Sequence, residues 1–254
     1  MVILAVESTE ITASAALADG DRFLAQTNFH TGLTHSETLL PAVEGLLTGA
    51  GLTFRDIDLF ACSTGPGSFT GVRIGAATVK GLAFGREKPC VGVSALASLA
   101  YNFLGLEGLV CPVMDARRQV LYNALFRLTK DGEGKGRIER LTEDRVIPSK
   151  DLLGELSTFS EPIFLCGEGE GILRKAWEEA VGQAGKPPEK VGAGASFPHF
   201  ADTPPLLRHQ NAFSVALCAY DLYKNSDDPS RFTDRALFPT YLRPSSAERM
   251  KTGG

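Results

Sequence analysis

Gly65-Pro66-Gly67-Ser68-Phe69-Thr70-Gly71-Val72-Arg73-Ile74-Gly75 is the stretch on which the reading of this 254-residue chain turns. Three glycines and a proline between positions 65 and 71 exclude regular structure there. Before it, residues 57–63 form an apolar run with the length of a buried strand. After it, residues 72–84 predict a helix whose Gly75, Ala76, Ala77, Gly81 and Ala83 leave little side-chain bulk. A mid-helix glycine costs about 1 kcal/mol relative to alanine, so such a helix has reason to approach another backbone closely. Strand, glycine-rich turn and helix make one step of an α/β fold. Amides at the start of such a helix suit an anion, which makes Gly65, Gly67, Ser68, Thr70 and Gly71 a candidate nucleotide or anion loop. The loop is not of the Walker A kind, because no Gly-Lys-Ser/Thr follows. A tight turn that only packs the helix onto its sheet accounts for the same residues.

Upstream, residues 2–6, 13–17 and 22–29 read as three strands of an antiparallel meander with turns at Glu7-Ser8-Thr9-Glu10 and Asp19-Gly20-Asp21. Thr34-His35-Ser36-Glu37 matches a capping box, and residues 39–50 carry the apolar spacing of a helix that Gly49 and Gly51 stop. Residues 89–93 predict a strand, and Ser94 caps a helix to about residue 104. The pattern then recurs in weaker form. Strands are expected at 109–114 and 120–128 around the turn Asp115-Ala116-Arg117-Arg118, with a loop tip at 130–137. A helix at 150–156, a strand at 162–166 and a helix at 172–181 follow. Residues 184–205 read as irregular, 211–224 as a final helix and 239–250 as a polar tail. The expected organisation is therefore α/β with two similar lobes, each a mixed sheet flanked by helices. The lobes are placed at 1–105 and 106–254, with helix 211–224 a candidate to pack back on the first lobe.

Composition narrows function by exclusion. A formal net charge of −4 and 22% charged residues lack the basic stripe of a free-standing nucleic-acid binder. No run is apolar for long enough to span a bilayer, and the N-terminus lacks a signal peptide's basic start, so a cytoplasmic protein is expected. The five cysteines sit in apolar runs without a Cys-x-x-Cys pair and read as buried thiols. The four histidines show no ligand spacing, so no metal site is expected. No nucleophile elbow occurs. The first turn, where a two-lobed nucleotide-binding fold would cradle phosphates, has two carboxylates and no glycine.

Several stretches together resemble the TsaB (YeaZ) family. They are Ile3-Leu4-Ala5-Val6-Glu7-Ser8-Thr9, His35-Ser36-Glu37-Thr38-Leu39-Leu40-Pro41, the eleven residues from Gly65, Lys80-Gly81-Leu82-Ala83, Met114-Asp115-Ala116-Arg117-Arg118 and Tyr241-Leu242-Arg243-Pro244. Glu7 stands where the family usually has aspartate. The resemblance implies an actin/Hsp70-like fold and a part in making N6-threonylcarbamoyladenosine at position 37 of tRNAs that read codons beginning with A. It implies a non-catalytic subunit that organises a TsaD-type transferase, alongside a TsaE-type ATPase, with tRNA reached through the complex. The catalytic relative carries a His-x-x-x-His pair, and those positions fall here on Ala95 and Leu99, which cannot bind a metal. No cofactor is then required by this chain, and ATP or ADP, if bound, is expected at an interface of the complex.

The docking face expected for such a subunit joins the helices at 36–48 and 72–84. Gly75, Ala76 and Gly81 would permit close packing, Leu39, Leu40, Val43 and Leu47 would fill gaps, and Arg73 and Lys80 would meet an acidic partner. Without its partner, the chain would pair with a second copy through the same face. An ATP-dependent small-molecule enzyme or a peptidase of the same fold are the alternatives.

Overall fold

The computed structural model describes residues 1–30, 34–184 and 198–243. Two compact units emerge: Met1–Tyr101 with the segment from Gln210 onward, and Asn102–His209. The break falls four residues before the expected boundary, and the second unit closes at His209 instead of running to the C-terminus. The expected polar tail beyond residue 243 and the irregular stretch at 185–197 lie outside the described residues.

In the first unit, β1 (Val2–Glu7), β2 (Ala13–Asp19) and β3 (Arg22–Phe29) form the antiparallel meander, with a register shift at Leu17/Ala18. β4 (Leu59–Ser63) adds parallel to β1, and β5 (Cys90–Val93) parallel to β4, giving the order β3-β2-β1-β4-β5. β1 and β4 are buried on both faces, which is why they read as unbroken apolar runs. One face carries Leu4, Val6, Ala15, Leu17, Phe60 and Cys62 against α1 (His35–Ala50) and α2 (Phe69–Ala83). The alternate residues Ile3, Ala5, Ala16 and Ala61 are equally buried. The small side chains of Ala5, Ala16 and Ala61 let α6 (Ala212–Lys224) lie against β1, β2, β4 and β5, with α3 (Ala95–Tyr101) packed beside it. α6 is pinned at its start: the Ala212 amide donates to Ser14 Oγ at 3.0 Å and the Phe213 amide to Gln26 Oε1 at 3.2 Å.

α1 stops at Gly51 (φ 66°), as the glycine at that position predicts. Its start differs from the capping box. The Thr34 hydroxyl donates to the Glu37 carboxylate at 2.6 Å, and no side chain caps the helix amides.

In the second unit, β6 (Gly108–Asp115) pairs antiparallel with β7 (Val120–Asn123) and β8 (Phe126–Lys130) and parallel with β11 (Ile163–Cys166). β9 (Gly136–Arg140) and β10 (Arg145–Pro148) extend the order to β10-β7-β6-β8-β9. The strand expected at 120–128 is split at Ala124-Leu125 without a change of register against β6. Pro112, opposite the gap, has no amide to give the ladder. Buried Asn123 fills in, donating to the Pro112 carbonyl at 3.0 Å, while the Leu125 amide turns to Thr142 Oγ1. β9 begins inside the loop tip expected at 130–137, and α4 (Ser149–Leu156) and α5 (Glu170–Ala184) cover the core around Leu109, Leu152 and Leu165.

Candidate functional site

The first turn and the glycine-rich loop are packed against each other. Glu7, at the end of β1, is wholly buried. Its Oε1 accepts from the Thr9 amide and hydroxyl, each at 2.6 Å, and its Oε2 from the Ser63 hydroxyl of β4. Burial pushes its carboxyl above the ordinary range, and these hydrogen bonds partly oppose the shift. The next residues clamp α2. Ser8 Oγ donates to the Gly71 carbonyl at 2.9 Å, and the Thr9 carbonyl accepts from the Ser68 amide at 2.7 Å. A Cβ on Gly71 would collide with the Ser8 carbonyl oxygen, and one on Gly75 would lie 2.6 Å from Ser8 Oγ. Gly71 and Gly75 of α2 thus serve contact with the turn that follows β1 in the same unit.

The loop itself closes on the C-terminal segment. Gly65 (φ 112°) would place a Cβ 2.5 Å from the Thr240 carbonyl oxygen, and the Thr240 amide donates to the Thr64 carbonyl at 2.7 Å. Of the candidate anion loop, Ser68 directs its amide to Thr9, and Gly71 directs its own to Ser68 Oγ at 3.3 Å. Those two donors are engaged within the chain; Gly67 (φ 155°) supplies the turn, and Thr70 is exposed.

The expected docking residues divide in two. Leu39, Val43, Leu47 and Ala76 belong to the apolar core of the first unit, and Gly75 is buried under Ser8. These five are corrected from surface to interior, because α1 and α2 turn that side toward the sheet. Leu40, Arg73 and Gly81 are exposed and Lys80 is half-buried, so these four remain on the surface of the helix pair. The structure adds aromatic residues that the sequence reading did not use. Phe69, Phe84, Phe238 and Tyr241 are all exposed, Phe84 to 77%. Arg73 lies over the Phe69 ring, and Lys80 Nζ sits 4.4 Å from the Phe238 centroid. The spacing of Phe69 and Arg73, four apart in a helix, was the available signal.

Ala95 and Leu99 are buried alkyl side chains at the start and middle of α3. The cysteines are free, buried thiols; burial raises Cys90 to about 11 and Cys111 to about 12, far from thiolate chemistry. Among the described residues no helix is long and apolar enough to cross a membrane.

Sheet order and helix placement define an α/β protein of the actin/Hsp70-like class. The family model described as TsaD, tRNA N6-adenosine threonylcarbamoyltransferase, matches residues 30–154. The tRNA threonylcarbamoyladenosine biosynthesis protein TsaB of Bacillus subtilis is 31% identical over 73% of this chain and 79% of its own length. Its Escherichia coli namesake is 38% identical over 52% of this chain and 58% of its own length. The solved structure of YeaZ from Pseudomonas aeruginosa superposes with a TM-score of 0.71 at 25% identity, covering 95% of this chain and 99% of that one. The chain belongs to the TsaB family.

Proposed function

We propose that this chain is the non-catalytic subunit of a cytoplasmic assembly that makes N6-threonylcarbamoyladenosine at position 37 of tRNAs reading codons that begin with A. It docks through the outer side of α1 and α2 onto a TsaD-type catalytic subunit, with a TsaE-type ATPase acting on the pair and tRNA reached through the complex. A scaffold of this kind raises its partner's rate by favouring the active conformation and performs no chemistry itself. In the absence of the partner, the same face pairs two copies. No cofactor is required by this chain, and ATP or ADP, if bound, sits at an interface of the complex.

The observation that carries the reading is the exposed face itself. Leu40 on α1, Phe84 at the end of α2 and Phe238 beside Lys80 are 44%, 77% and 66% exposed. Exposed large apolar residues on elements that also carry the exposed Arg73 and the half-buried Lys80 have the composition of a protein interface. Ala95 and Leu99 support the second half of the reading, since neither can ligate a metal at the positions matched to the relative's histidine pair.

Co-expression with the TsaD-type subunit, size-exclusion chromatography and a tRNA modification assay test it together. The two chains are expected to co-elute, and tRNA to be modified only when the catalytic subunit, the adenylate-forming enzyme and the ATPase are all present. Modification by this chain unaided, or separate elution of the two subunits, would overturn the reading.

A further inference from the structure

The C-terminal segment builds part of the α2 surface, and it does so around one arginine. Leu237 is buried in the core of the first unit, and the Thr240 amide is hooked to the Thr64 carbonyl at 2.7 Å. These two anchors fix Tyr241, whose ring centroid lies 5.0 Å from that of Phe69 with a tilt of 31°. The Arg73 guanidinium carbon sits 3.8 Å from the Phe69 centroid and 5.8 Å from that of Tyr241. Its Nε donates to the Tyr241 hydroxyl at 2.8 Å.

An exposed arginine is ordinarily a mobile side chain. This one is held by a ring face and a phenol, while other described arginines, such as Arg127, Arg140 and Arg145, pair with carboxylates. Among the described residues no carboxylate pairs with Arg73. A guanidinium has five N–H donors. Tyr241 takes the one on Nε, and the planar fork of the two terminal nitrogens stays available in a fixed orientation. That fork fits a carboxylate or phosphate with two parallel hydrogen bonds.

We propose that Arg73, oriented by Phe69 and Tyr241, is a preorganised receptor for an aspartate or glutamate side chain of the TsaD-type subunit. The C-terminal segment is thereby a positioning element of the docking face. The inference rests on the partner assignment made above and adds the chemistry by which that partner is gripped. The surroundings favour a protein carboxylate over an RNA phosphate. Glu37 and Glu44 are exposed on the neighbouring α1 and repel a polyanion, while the exposed rings of Phe69 and Tyr241 flank the guanidinium with the apolar surface of a protein interface. A phosphate-tracking surface would need further cations in place of those groups.

The test uses the full chain and the TsaD-type subunit of the same organism, with affinity measured by surface plasmon resonance at several salt concentrations. Arg73→Ala is expected to weaken binding by about tenfold or more and to flatten its salt dependence. Arg73→Lys keeps the charge but loses the fork and the Nε bond, and is expected to restore little of it. Tyr241→Phe removes one hydroxyl and nothing else, so its fold is not in question; a loss of about threefold to tenfold is expected. If the unaltered chain does not bind, the partner assignment fails and this inference with it. If the unaltered chain binds and Arg73→Ala or Tyr241→Phe binds equally well, the receptor is overturned while the partner assignment stands. Full rescue by Arg73→Lys would overturn the oriented fork. A defect in tRNA binding by Arg73→Ala with unchanged subunit affinity would assign the guanidinium to phosphate and overturn the proposal.

Discussion

Glu7 is a carboxylate held inside a protein core by three donors, two from Thr9 and one from Ser63. Its folded pKa lies above the ordinary 4.5 because burial outweighs those bonds. The folded chain therefore binds more protons than the unfolded chain in the window that opens at 4.5 and closes at the raised value. Stability contributed by the protonated, buried form is complete below that window and is lost as pH rises through it. Glu7→Gln removes the titration, so its melting temperature should fall less across that window than that of the unaltered chain. Parallel profiles would show that Glu7 titrates normally. Glu7→Ala is a different experiment: it strands the Thr9 and Ser63 donors and should cost about 1–3 kcal/mol in chemical denaturation at neutral pH. Nothing in the order Glu7-Ser8-Thr9-Glu10 announces this arrangement. The sequence shows two acids in a turn, and one of the three donors that hold Glu7 stands 56 positions away.

At the scale of the element, α2 shows two kinds of glycine that look alike in the sequence. Gly81 is exposed, and a Cβ there would meet nothing within 4 Å. Gly81→Ala should stabilise the chain by about 0.5–1 kcal/mol through helix propensity alone. Gly81→Leu should leave the melting temperature near that of the unaltered chain and abolish co-elution with the TsaD-type subunit, since the new side chain stands on the docking face. Retained co-elution would remove this turn of α2 from the interface. Gly71 is the opposite case. Its missing Cβ is where the Ser8 carbonyl oxygen lies, backbone against backbone, so neither side can yield cheaply. Gly71→Ala should destabilise by about 3 kcal/mol or more, measured by denaturant unfolding, and a loss under 1 kcal/mol would mean that α2 can slide on the turn. Element existence was legible along most of the chain because periodicity is local: the meander, α1, α2, α5 and α6 stand where the apolar spacing puts them. Partition of their faces was not. Leu39 and Leu40 are adjacent, chemically identical, and buried to 1% and exposed to 44%, because the choice is made by where the sheet lies. The split between β7 and β8 was hidden for the same reason, since Pro112 sits on the facing strand. Tyr241 and Arg73 are 168 positions apart, beyond any window of helical or strand periodicity.

For the whole molecule, the first unit is assembled from both ends of the chain, and this makes its two ends interdependent. The second unit begins at Asn102, whose side-chain amide donates to the carbonyls of Leu207 at 2.9 Å and His209 at 2.8 Å, so its entry and exit segments are tied together. The first unit has the converse problem. Residues 1–101 alone leave the face formed by Ile3, Ala5, Ala16 and Ala61 uncovered until α6 arrives with Val215, Ala216 and Ala219, all fully buried. Burying a valine-sized side chain contributes roughly 1.5–3 kcal/mol, against a net stability of about 5–15 kcal/mol for a typical domain. Removing a helix that covers four strands takes away several such contributions at once. A chain ending at residue 209 should therefore lose hydrogen-exchange protection on β1 and β2 and fail to bind the TsaD-type subunit. A chain ending at residue 236 keeps α6 and loses Leu237, Phe238 and Tyr241. It should stay folded with a lower melting temperature, since one core leucine is gone, and should bind the partner at least as poorly as Tyr241→Phe. Native protection of β1 and β2 in the shorter chain would show that the first unit folds without its returning helix. In that case the C-terminal segment would act on the docking face alone, and the two truncations, both lacking Tyr241, should match in partner affinity as well as in stability.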